Sequence, residues 1–530
     1  MLGRFKDATL NAMGKKNEKT GIEKDESQRT RQGTDKKPEK YINGRPYFLG
    51  LSADEVQSSI DFAIRPILKP RKIHDMPLFA GYAECLNGGK SDFNEDNSYA
   101  CEMCIRSQLA SRNKERSASV GSPVAMSHPQ HDHNGSIRHP GAVASCSKEY
   151  HGAVNCNSNL DWIDEPKKEV ASWDVSVEGV YFGMFDGHAG YQTSLIASRT
   201  LHGLLQEELN QLFDILAAEK NTKCVKKYPD MNTEDLIVGA LEESFQRMDH
   251  QLKTDGERYN IRGGCTALVA LFVNGKLYVA NAGDSRAVLC HGESVRPVSR
   301  DLRPDTETEK LRINLKGSTN PGLLRDEFSC LEFQRRVIRT DIGTQMLCRK
   351  PGRKGWCYKI IEEEDLRYPL VVGTGKGVRL MGTIGVSRSL GDHDLYIYDS
   401  DIWIKPFLSS LPEVQVVDLR GETFSEKDVL IMGTDGLWDV TSNENAALIV
   451  RSEISQSAIH DKHKYIIAAQ ELVSQARGRF TGQGWKKTHS DDRGSFDDIS
   501  TFVVPLKPYM DKWENRDQIS INSIESTLRS

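Results

Sequence analysis

Residues 263–289 read GGCTALVALFVNGKLYVANAGDSRAVL. Two apolar runs, 266–273 and 276–282, stand on either side of an Asn-Gly pair. Because Asn-Gly supplies the two positive φ angles of a type I′ turn, this stretch predicts a β-hairpin. Asp284 follows the second run, so a carboxylate stands where a buried strand stops. The sequence therefore predicts antiparallel β-structure at the centre of the fold.

The rest of the chain alternates short apolar runs with longer segments of helical periodicity. Four further strands are predicted, at 77–84, 179–185, 428–433 and 499–504. Four helices are predicted, at 189–215, 233–252, 442–457 and 463–477. Strand pairs followed by helix pairs favour a layered α+β domain whose helices pack on the outside of the sheets.

The composition allows a large core. The 530 residues are 38% hydrophobic, which suits one large catalytic domain with tails and insertions as well as two to four average domains. The net charge of -5 gives no basic bias, so we expect no nucleic-acid partner. The 11 cysteines have no repeating spacing and indicate reduced intracellular thiols. No apolar run nears the ~18 residues that span a bilayer, and no signal-peptide core follows Met1, so we expect a cytoplasmic protein.

Three segments have the composition of tails or insertions. Residues 1–16 place apolar side chains on one helical face that two glycines weaken, so peripheral membrane contact and a frayed tail both remain open. The early acidic residues argue against a mitochondrial presequence. The predicted division is a tail at 1–45, a domain at 46–508 with a flexible insertion at 105–160 rich in Ser, His, Gly and Pro, and a tail at 509–530.

Carboxylates recur where apolar strands end. Asp186 and Asp435 follow such runs, as Asp284 does. A single Asp beside Gly is more often only a turn, but repeated strand-end carboxylates can converge on one rim of a sheet. Buried together they would repel one another unless a cation offset their charge, and oxygen ligands suit Mg²⁺ and Mn²⁺. The repetition therefore indicates a metal site.

Six motifs, in order from about Ala80 to Val504, resemble the type 2C (PPM) family of metal-dependent protein phosphatases. They are NED at 94–96, FGMFDGHAG at 182–190, the hairpin stretch at 263–289, GVSRSLGD at 385–392, TDGLWDV at 434–440 and DDIS at 497–500. So many motifs in one order are far more specific than a lone glycine fingerprint.

The resemblance implies an α-β-β-α sandwich with two central antiparallel sheets flanked by helices. It also implies a serine/threonine phosphatase that hydrolyses phosphoserine or phosphothreonine in phosphoprotein substrates, by in-line attack of a water activated by two Mg²⁺ or Mn²⁺ ions. The implied metal residues are Asp96, Asp186, Asp435 and Asp497, with Glu95 acting through water, Gly187 through its carbonyl and Asp284 at a weaker third ion. His188 would protonate the leaving oxygen. The competing interpretation is an inactive phosphatase-fold scaffold, and the retention of all four aspartates argues against it.

The chain departs from the family pattern in three places. The family's phosphate-binding arginine is Ser91 here, which leaves the neighbouring Lys90 as the candidate substrate-binding residue. Asp498 replaces the usual Asn and adds charge near the metals. An enlarged flap at 314–381 carries many basic residues, and docking of a phosphoprotein and a merely solvated surface remain equal alternatives. The missing arginine, the flap and the N-terminal MLGRFKDATLNAMG look most like the H/J/M subgroup.

Overall fold

The predicted hairpin forms around Asn274 and Gly275, whose φ angles are 51° and 72°. The computed structural model describes residues 44–58, 65–107, 176–218, 232–397, 400–458, 461–482, 484–488 and 490–515. These fall in one compact unit, apart from Ser176; the second unit, 108–176, otherwise lies outside the described residues, as do residues 1–43. The predictions for residues 1–16 and for most of the 105–160 insertion therefore fall on residues that are not described.

Two antiparallel sheets carry the fold. In spatial order, the five-stranded sheet contains Glu413–Asp418, Lys276–Ala282, Ala267–Val273, Val177–Phe185 and Asn97–Ile105. The six-stranded sheet contains Ile67–Leu68, Gly81–Cys85, Ile499–Pro505, Val429–Gly433, Arg286–His291 and Ser294–Pro297. The chain passes from one sheet to the other at residues 283–285, which places Asp284 at the crossing.

The two sheets share a buried core. Phe182 of the five-stranded sheet and Phe502 of the six-stranded sheet have ring centroids 5.5 Å apart. Successive side chains of a strand point to opposite faces, so Tyr181, next to Phe182, packs among helices instead. This alternation gives each sheet one face for the shared core and one face for helices.

Helices cover the outer faces. Gln192–Gln211 and Thr233–Tyr259 pack on the five-stranded sheet, and Asn443–Gln456 and Lys464–Arg477 pack on the six-stranded sheet. Shorter helices are Ala53–Ser58, Phe213–Ala218, Glu307–Thr319 and Asp435–Trp438. The predicted α+β class is confirmed. Within the described residues, no helix is both long and apolar enough to cross a bilayer.

One strand begins later than predicted. The run 77–84 is a strand only from Gly81, because Pro77–Phe79 forms a 3₁₀ turn. Proline has no backbone N–H to give to a ladder and fixes φ near the helical value, so Pro77 favours that turn.

The flap has structure of its own. A three-stranded sheet contains Glu332–Phe333, Gln345–Arg349 and Cys357–Ile360. Two short pairs join Phe328–Ser329 to Tyr368–Pro369 and Val371–Val372 to Arg379–Leu380. The remaining short strands, outside the flap, are Gly187–His188, Gly264–Cys265, Leu390–Gly391, Arg479–Thr481 and Gly484–Lys486. Below the flap, buried Glu309 accepts hydrogen bonds from Arg312 (2.8 Å) and Arg388 (2.7 Å).

Ordered residues extend past both predicted domain limits, 46 and 508. The side chain of Arg45 is 5% exposed and forms an ion pair with Glu84 of the six-stranded sheet. A helix at 507–515 places Tyr509 and Met510 in the core shared by the sheets. The Tyr509 hydroxyl oxygen accepts a hydrogen bond from the backbone N–H of Gly275 (2.9 Å). The C-terminal helix therefore packs against the central hairpin.

Candidate active site

The predicted carboxylates meet where strands of both sheets end. Asp186 directly follows Val177–Phe185, and Asp435 begins the short helix after Val429–Gly433. The pKa of Asp186 is raised well above its ordinary value, first by burial and then by repulsion from Asp435, Asp96, Asp497 and Asp284. All five carboxylates are therefore close enough to repel. We call Asp96, Asp186, Asp435 and Asp497 the acidic rim.

Asp96 has one satisfied and one unsatisfied oxygen. It is 1% exposed, and its Oδ2 accepts a hydrogen bond from the Thr434 hydroxyl (2.9 Å). Its Oδ1 is buried and has no hydrogen-bond partner among the described residues. Burial, followed by repulsion from Asp498, raises its pKa well above the ordinary value. A buried carboxylate oxygen without a donor fits a hard divalent cation, which prefers oxygen ligands.

The rim carboxylates are not grouped tightly around a single point. The described residues contain no group of three His, Cys, Asp or Glu side chains placed to hold a metal. The side chains are gathered closely enough for strong repulsion, and their donor chemistry fits Mg²⁺ or Mn²⁺. Their individual assignment as ligands stays a prediction.

Gly187 lets two acidic loops approach each other. A Cβ added at Gly187 would lie 2.4 Å from the Glu95 carbonyl oxygen, so any side chain there would separate the loops. The Ser194 hydroxyl donates to the same carbonyl. The Glu95 side chain is held as well, because its Oε1 accepts a hydrogen bond from the backbone N–H of Gly190 (2.7 Å). Burial raises the pKa of Glu95.

Asp498 joins the loops beneath the rim. Its Oδ1 accepts from the backbone N–H of Asn87 (2.8 Å), and its Oδ2 accepts from the backbone N–H of Glu95 (3.2 Å). Burial raises the pKa of Asp498 to about 6, and repulsion from Asp497 adds to the rise. Asp498 thus brings the charge expected from the sequence and also serves as a hydrogen-bond acceptor.

Lys90 lies on a tight loop that faces the rim. The Asn87 side-chain oxygen accepts from the backbone N–H groups of Gly89, Lys90 and Ser91, at 3.2, 2.7 and 3.0 Å. The Lys90 ammonium lies 2.8 Å from Asp497 Oδ1. Burial lowers the pKa of Lys90, but attraction to Asp497 outweighs burial and raises it. The loop therefore points a cation at one rim carboxylate.

His188 is paired with an aspartate that sequence reasoning did not single out. Its Nε2 lies 2.8 Å from Asp392 Oδ1, and the Ser389 hydroxyl donates to Asp392 Oδ2 (2.6 Å). Burial lowers the pKa of His188, but the Asp392 carboxylate outweighs burial and raises it. The only signal for Asp392 was its place at the end of the GVSRSLGD motif.

Arg45 is a second residue that sequence reasoning missed. Its Nε donates to buried Glu84 (2.6 Å), and its Nη1 donates to the carbonyl oxygens of Asn94 (3.2 Å) and Asp96 (2.7 Å). This guanidinium holds the backbone of the Asn94–Asp96 loop. It stands at the end of a polar segment read as a tail, so no local pattern identified it.

Asp284 sits beside a charge cluster of its own. Burial, followed by repulsion from Asp301, raises its pKa to about 6, while Arg303 opposes the rise. Arg286 donates two hydrogen bonds to Asp301, at 2.9 and 2.7 Å. Trp438 is 7% exposed and packs in the core.

Comparison with known proteins identifies the family. A family model described as Protein phosphatase 2C matches residues 161–322 and 370–482. Human protein phosphatase 1H is 38% identical, and the alignment covers 96% of this chain and 99% of that protein. Mouse protein phosphatase 1M is 36% identical, with 87% and 91% covered, and mouse protein phosphatase 1J is 37% identical, with 87% and 85% covered. The chain therefore belongs to the protein phosphatase 2C family and resembles its H, J and M members.

Proposed function

We propose that the acidic rim binds two Mg²⁺ or Mn²⁺ ions, with a weaker third ion at Asp284. With them, this protein serine/threonine phosphatase hydrolyses phosphoserine and phosphothreonine in protein substrates. The observation that carries the metal site is the buried, unpartnered Oδ1 of Asp96 among carboxylates that raise one another's pKa. Bound there, divalent ions would supply Lewis-acid activation of water and offset the negative charge of the phosphate.

The chain's own residues set the position of each group. Asp186 is repelled by Asp435, Asp96, Asp497 and Asp284, which suits a central place among the residues that would hold the ions. Gly187 lets its backbone lie next to the Glu95 carbonyl, because a side chain would force the two loops apart. Glu95 is oriented by the Gly190 N–H.

His188 donates the proton that the leaving seryl or threonyl oxygen needs. Asp392 engages Nε2, so Nδ1 is the nitrogen left to face the substrate. The side chain of His188 is 31% exposed, whereas that of Asp392 is 3% exposed, so the acid reaches the substrate cleft while its partner stays inside.

Lys90 supplies a cation for the substrate phosphate in place of the family's arginine. Its side chain is 46% exposed and lies against the rim. A lysine ammonium acts as a point charge and lacks the two-pronged grip of a guanidinium. Phosphate binding through Lys90 is therefore weaker than binding through arginine.

The flap docks the phosphoprotein. A cavity of about 460 Å³ is lined in part by Arg336, Trp356, Arg367 and Tyr368. The Arg336 guanidinium stacks 4.1 Å from the Tyr368 ring, which leaves cationic and aromatic surface together. Arg349, in contrast, is buried and paired with Glu307 and Glu332, so it holds the flap together instead of facing a partner.

We also propose a cytoplasmic location, with residues 1–16 making peripheral contact with membranes. The support is the apolar helical face of that segment, which lies outside the described residues. Imaging of the tagged chain with and without residues 1–16 tests this. Loss of a membrane-associated fraction on removal is expected, and an unchanged distribution contradicts membrane contact.

The decisive experiment is phosphate release from a phosphothreonine peptide and from a phosphoprotein, with Mg²⁺, Mn²⁺ or EDTA. We expect metal-dependent release that Asp186→Asn abolishes. The matched control is Asp418→Asn, an exposed aspartate on the strand Glu413–Asp418 that pairs with Arg420. Release that persists in EDTA contradicts the metal site, and no release from folded wild-type protein on either substrate favours the scaffold.

A further inference from the structure

Two cysteines face each other in the flap sheet. Cys348 lies on Gln345–Arg349 and Cys357 on Cys357–Ile360, and the antiparallel register pairs them directly. Their sulfur atoms are 3.8 Å apart. Residues directly opposite on antiparallel strands have Cα atoms ~4.5–5.5 Å apart, which is inside the ~4.4–6.8 Å range of disulfides. Rotation of the two side chains is therefore enough to bring the sulfurs into bonding distance.

The two thiols differ in access to solvent. Cys348 is fully buried, whereas Cys357 is exposed. Burial raises the pKa of the Cys348 thiol, so Cys348 is the less reactive of the two toward an oxidant in solution. A soluble oxidant therefore reacts first with Cys357, and Cys348 is the neighbouring thiol that can form a disulfide with it.

We propose that Cys348 and Cys357 are an oxidative modification site that a peroxide closes into a disulfide. Hydrogen peroxide first converts the Cys357 thiol to a sulfenic acid and releases one water. The Cys348 sulfur then attacks the Cys357 sulfur, the S–S bond forms, the S–O bond breaks and a second water leaves. In total the two thiols lose two electrons and two protons, and the peroxide is reduced to two waters. A dithiol reductant reverses the bond by exchange.

The bridge would act on the outer strand of the flap sheet. Cys357–Ile360 is an edge strand, held on one side only by Gln345–Arg349. It carries two exposed apolar side chains, Tyr358 (69%) and Ile360 (58%), while Arg349 ties the central strand to Glu307 and Glu332. Cross-linking therefore fastens the strand with the exposed side chains to the strand with the buried ion pairs.

The functional consequence rests on the proposed docking of phosphoproteins at the flap. An edge strand held by the disulfide changes how a whole protein substrate binds to the flap. A short phosphopeptide that reaches only the acidic rim is unaffected. We expect oxidation to change KM for a phosphoprotein several-fold and to leave peptide hydrolysis unchanged.

The chemical test uses the full chain, reduced and then treated with hydrogen peroxide. We expect proteolysis without reductant, followed by mass spectrometry, to yield a linked peptide pair containing Cys348 and Cys357 that dithiothreitol separates. The link should persist in Cys104→Ser, an exposed cysteine whose cross-strand partner is Glu178, and disappear in Cys357→Ser. Absence of the link at peroxide concentrations that oxidise Cys104 overturns the proposal.

The activity test separates this inference from the phosphatase mechanism. Oxidised and reduced chains are compared on the phosphoprotein and on the phosphopeptide, with Cys357→Ser as the insensitive control. Equal loss on both substrates, or no change on either once the link has formed, overturns the flap effect. A reduced chain inactive on both substrates contradicts the proposed function, while the linked peptide still decides the modification site.

Discussion

Two groups of carboxylates in this molecule have pKa values shifted in opposite directions. On the acidic rim, burial and mutual repulsion raise the pKa values of Asp96, Asp186 and Asp435 well above the ordinary value. Below the flap, Glu309 is fully buried, but its pKa is lowered to about 2. Burial opposes that lowering, and hydrogen bonds and attraction from Arg388 and Arg312 outweigh it.

The difference shows which buried charges serve the fold. Glu309 has two guanidinium partners from the chain itself, so its charge helps to hold the flap base together. The rim carboxylates repel one another, which costs stability that Lys90 offsets at Asp497 and that a bound divalent cation would offset further. Perturbed carboxylates of this second kind mark functional sites.

The largest effect that tests this comparison is expected for Asp435→Asn. Loss of one rim carboxylate should lower kcat/KM ~10³-fold, because a metal's charge stabilisation is worth several kcal/mol at about 1.4 kcal/mol per tenfold. In EDTA the melting temperature should stay equal or rise, because repulsion is relieved. Parallel kinetics and thermal melts measure both. A large fall in melting temperature in EDTA would place Asp435 with the structural carboxylates instead.

Glu309→Gln should lower the stability of the fold, whereas Asp435→Asn should not. Removal of this charge leaves the half-buried Arg312 and Arg388 beside a neutral amide, and we expect a loss of ~3 kcal/mol in the free energy of unfolding. Urea unfolding measures the loss. Glu413→Gln, which removes a carboxylate from a pair with the exposed Arg300, is the matched control and should change stability by under ~1 kcal/mol. If both variants unfold like the wild type, the contrast between the two groups fails.

The same contrast predicts how acid unfolds the protein. Glu309 and Asp249 both have pKa values lowered to about 2, from ordinary values of 4.5 and 3.8. Burial opposes the lowering at Asp249, and its bonds to His393 and Lys405 outweigh it. Because the folded pKa lies below the unfolded one, the stability from each group is complete above the unfolded pKa and is lost as pH falls through the folded pKa.

We therefore expect the free energy of unfolding in EDTA to fall between about pH 4.5 and 2, with contributions of ~3 kcal/mol from Glu309 and ~2 kcal/mol from Asp249. Burial lowers the pKa of Arg312, but this arginine stays protonated in both states across the range and does not change the slope. Urea titrations across this range measure the slope. Glu309→Gln should flatten it, and an unchanged slope in that variant would show that Glu309 does not titrate there.

The smallest effect is expected for Lys90→Met, which removes the ammonium that pairs with the rim carboxylate of Asp497. Loss of the ammonium should raise KM for a phosphopeptide up to tenfold, about 1.4 kcal/mol, with little change in kcat. Lys486→Met, which breaks an exposed pair with Asp491, is the control. Steady-state kinetics separate the two constants. A fall in kcat at constant KM would mean that Lys90 acts on Asp497 and not on the substrate.

Local patterns were enough to predict the central hairpin and the strand-end carboxylates. Alternation, the Asn-Gly turn and Asp residues after apolar runs all act over a few neighbouring positions. The missed residues depend on distant partners: Asp392 bonds His188 from 204 positions away, and Arg45 bonds the Asp96 carbonyl across 51. Tyr509 was assigned to a tail because the segment around it is polar, although its ring reaches the core. Such pairings arise only when the chain has folded.

The hydrogen bonds between Arg45 and the Asn94–Asp96 loop couple the N-terminal segment mechanically to the acidic rim. The Arg45 guanidinium binds the backbone of a predicted metal ligand, and the Asn97 side chain donates to the carbonyl oxygen of Gly44. Displacement of this segment, by tethering to a surface or by a bound partner, would therefore move the loop that carries Asp96. The N-terminal segment is therefore coupled to the acidic rim and does not act only as a tether.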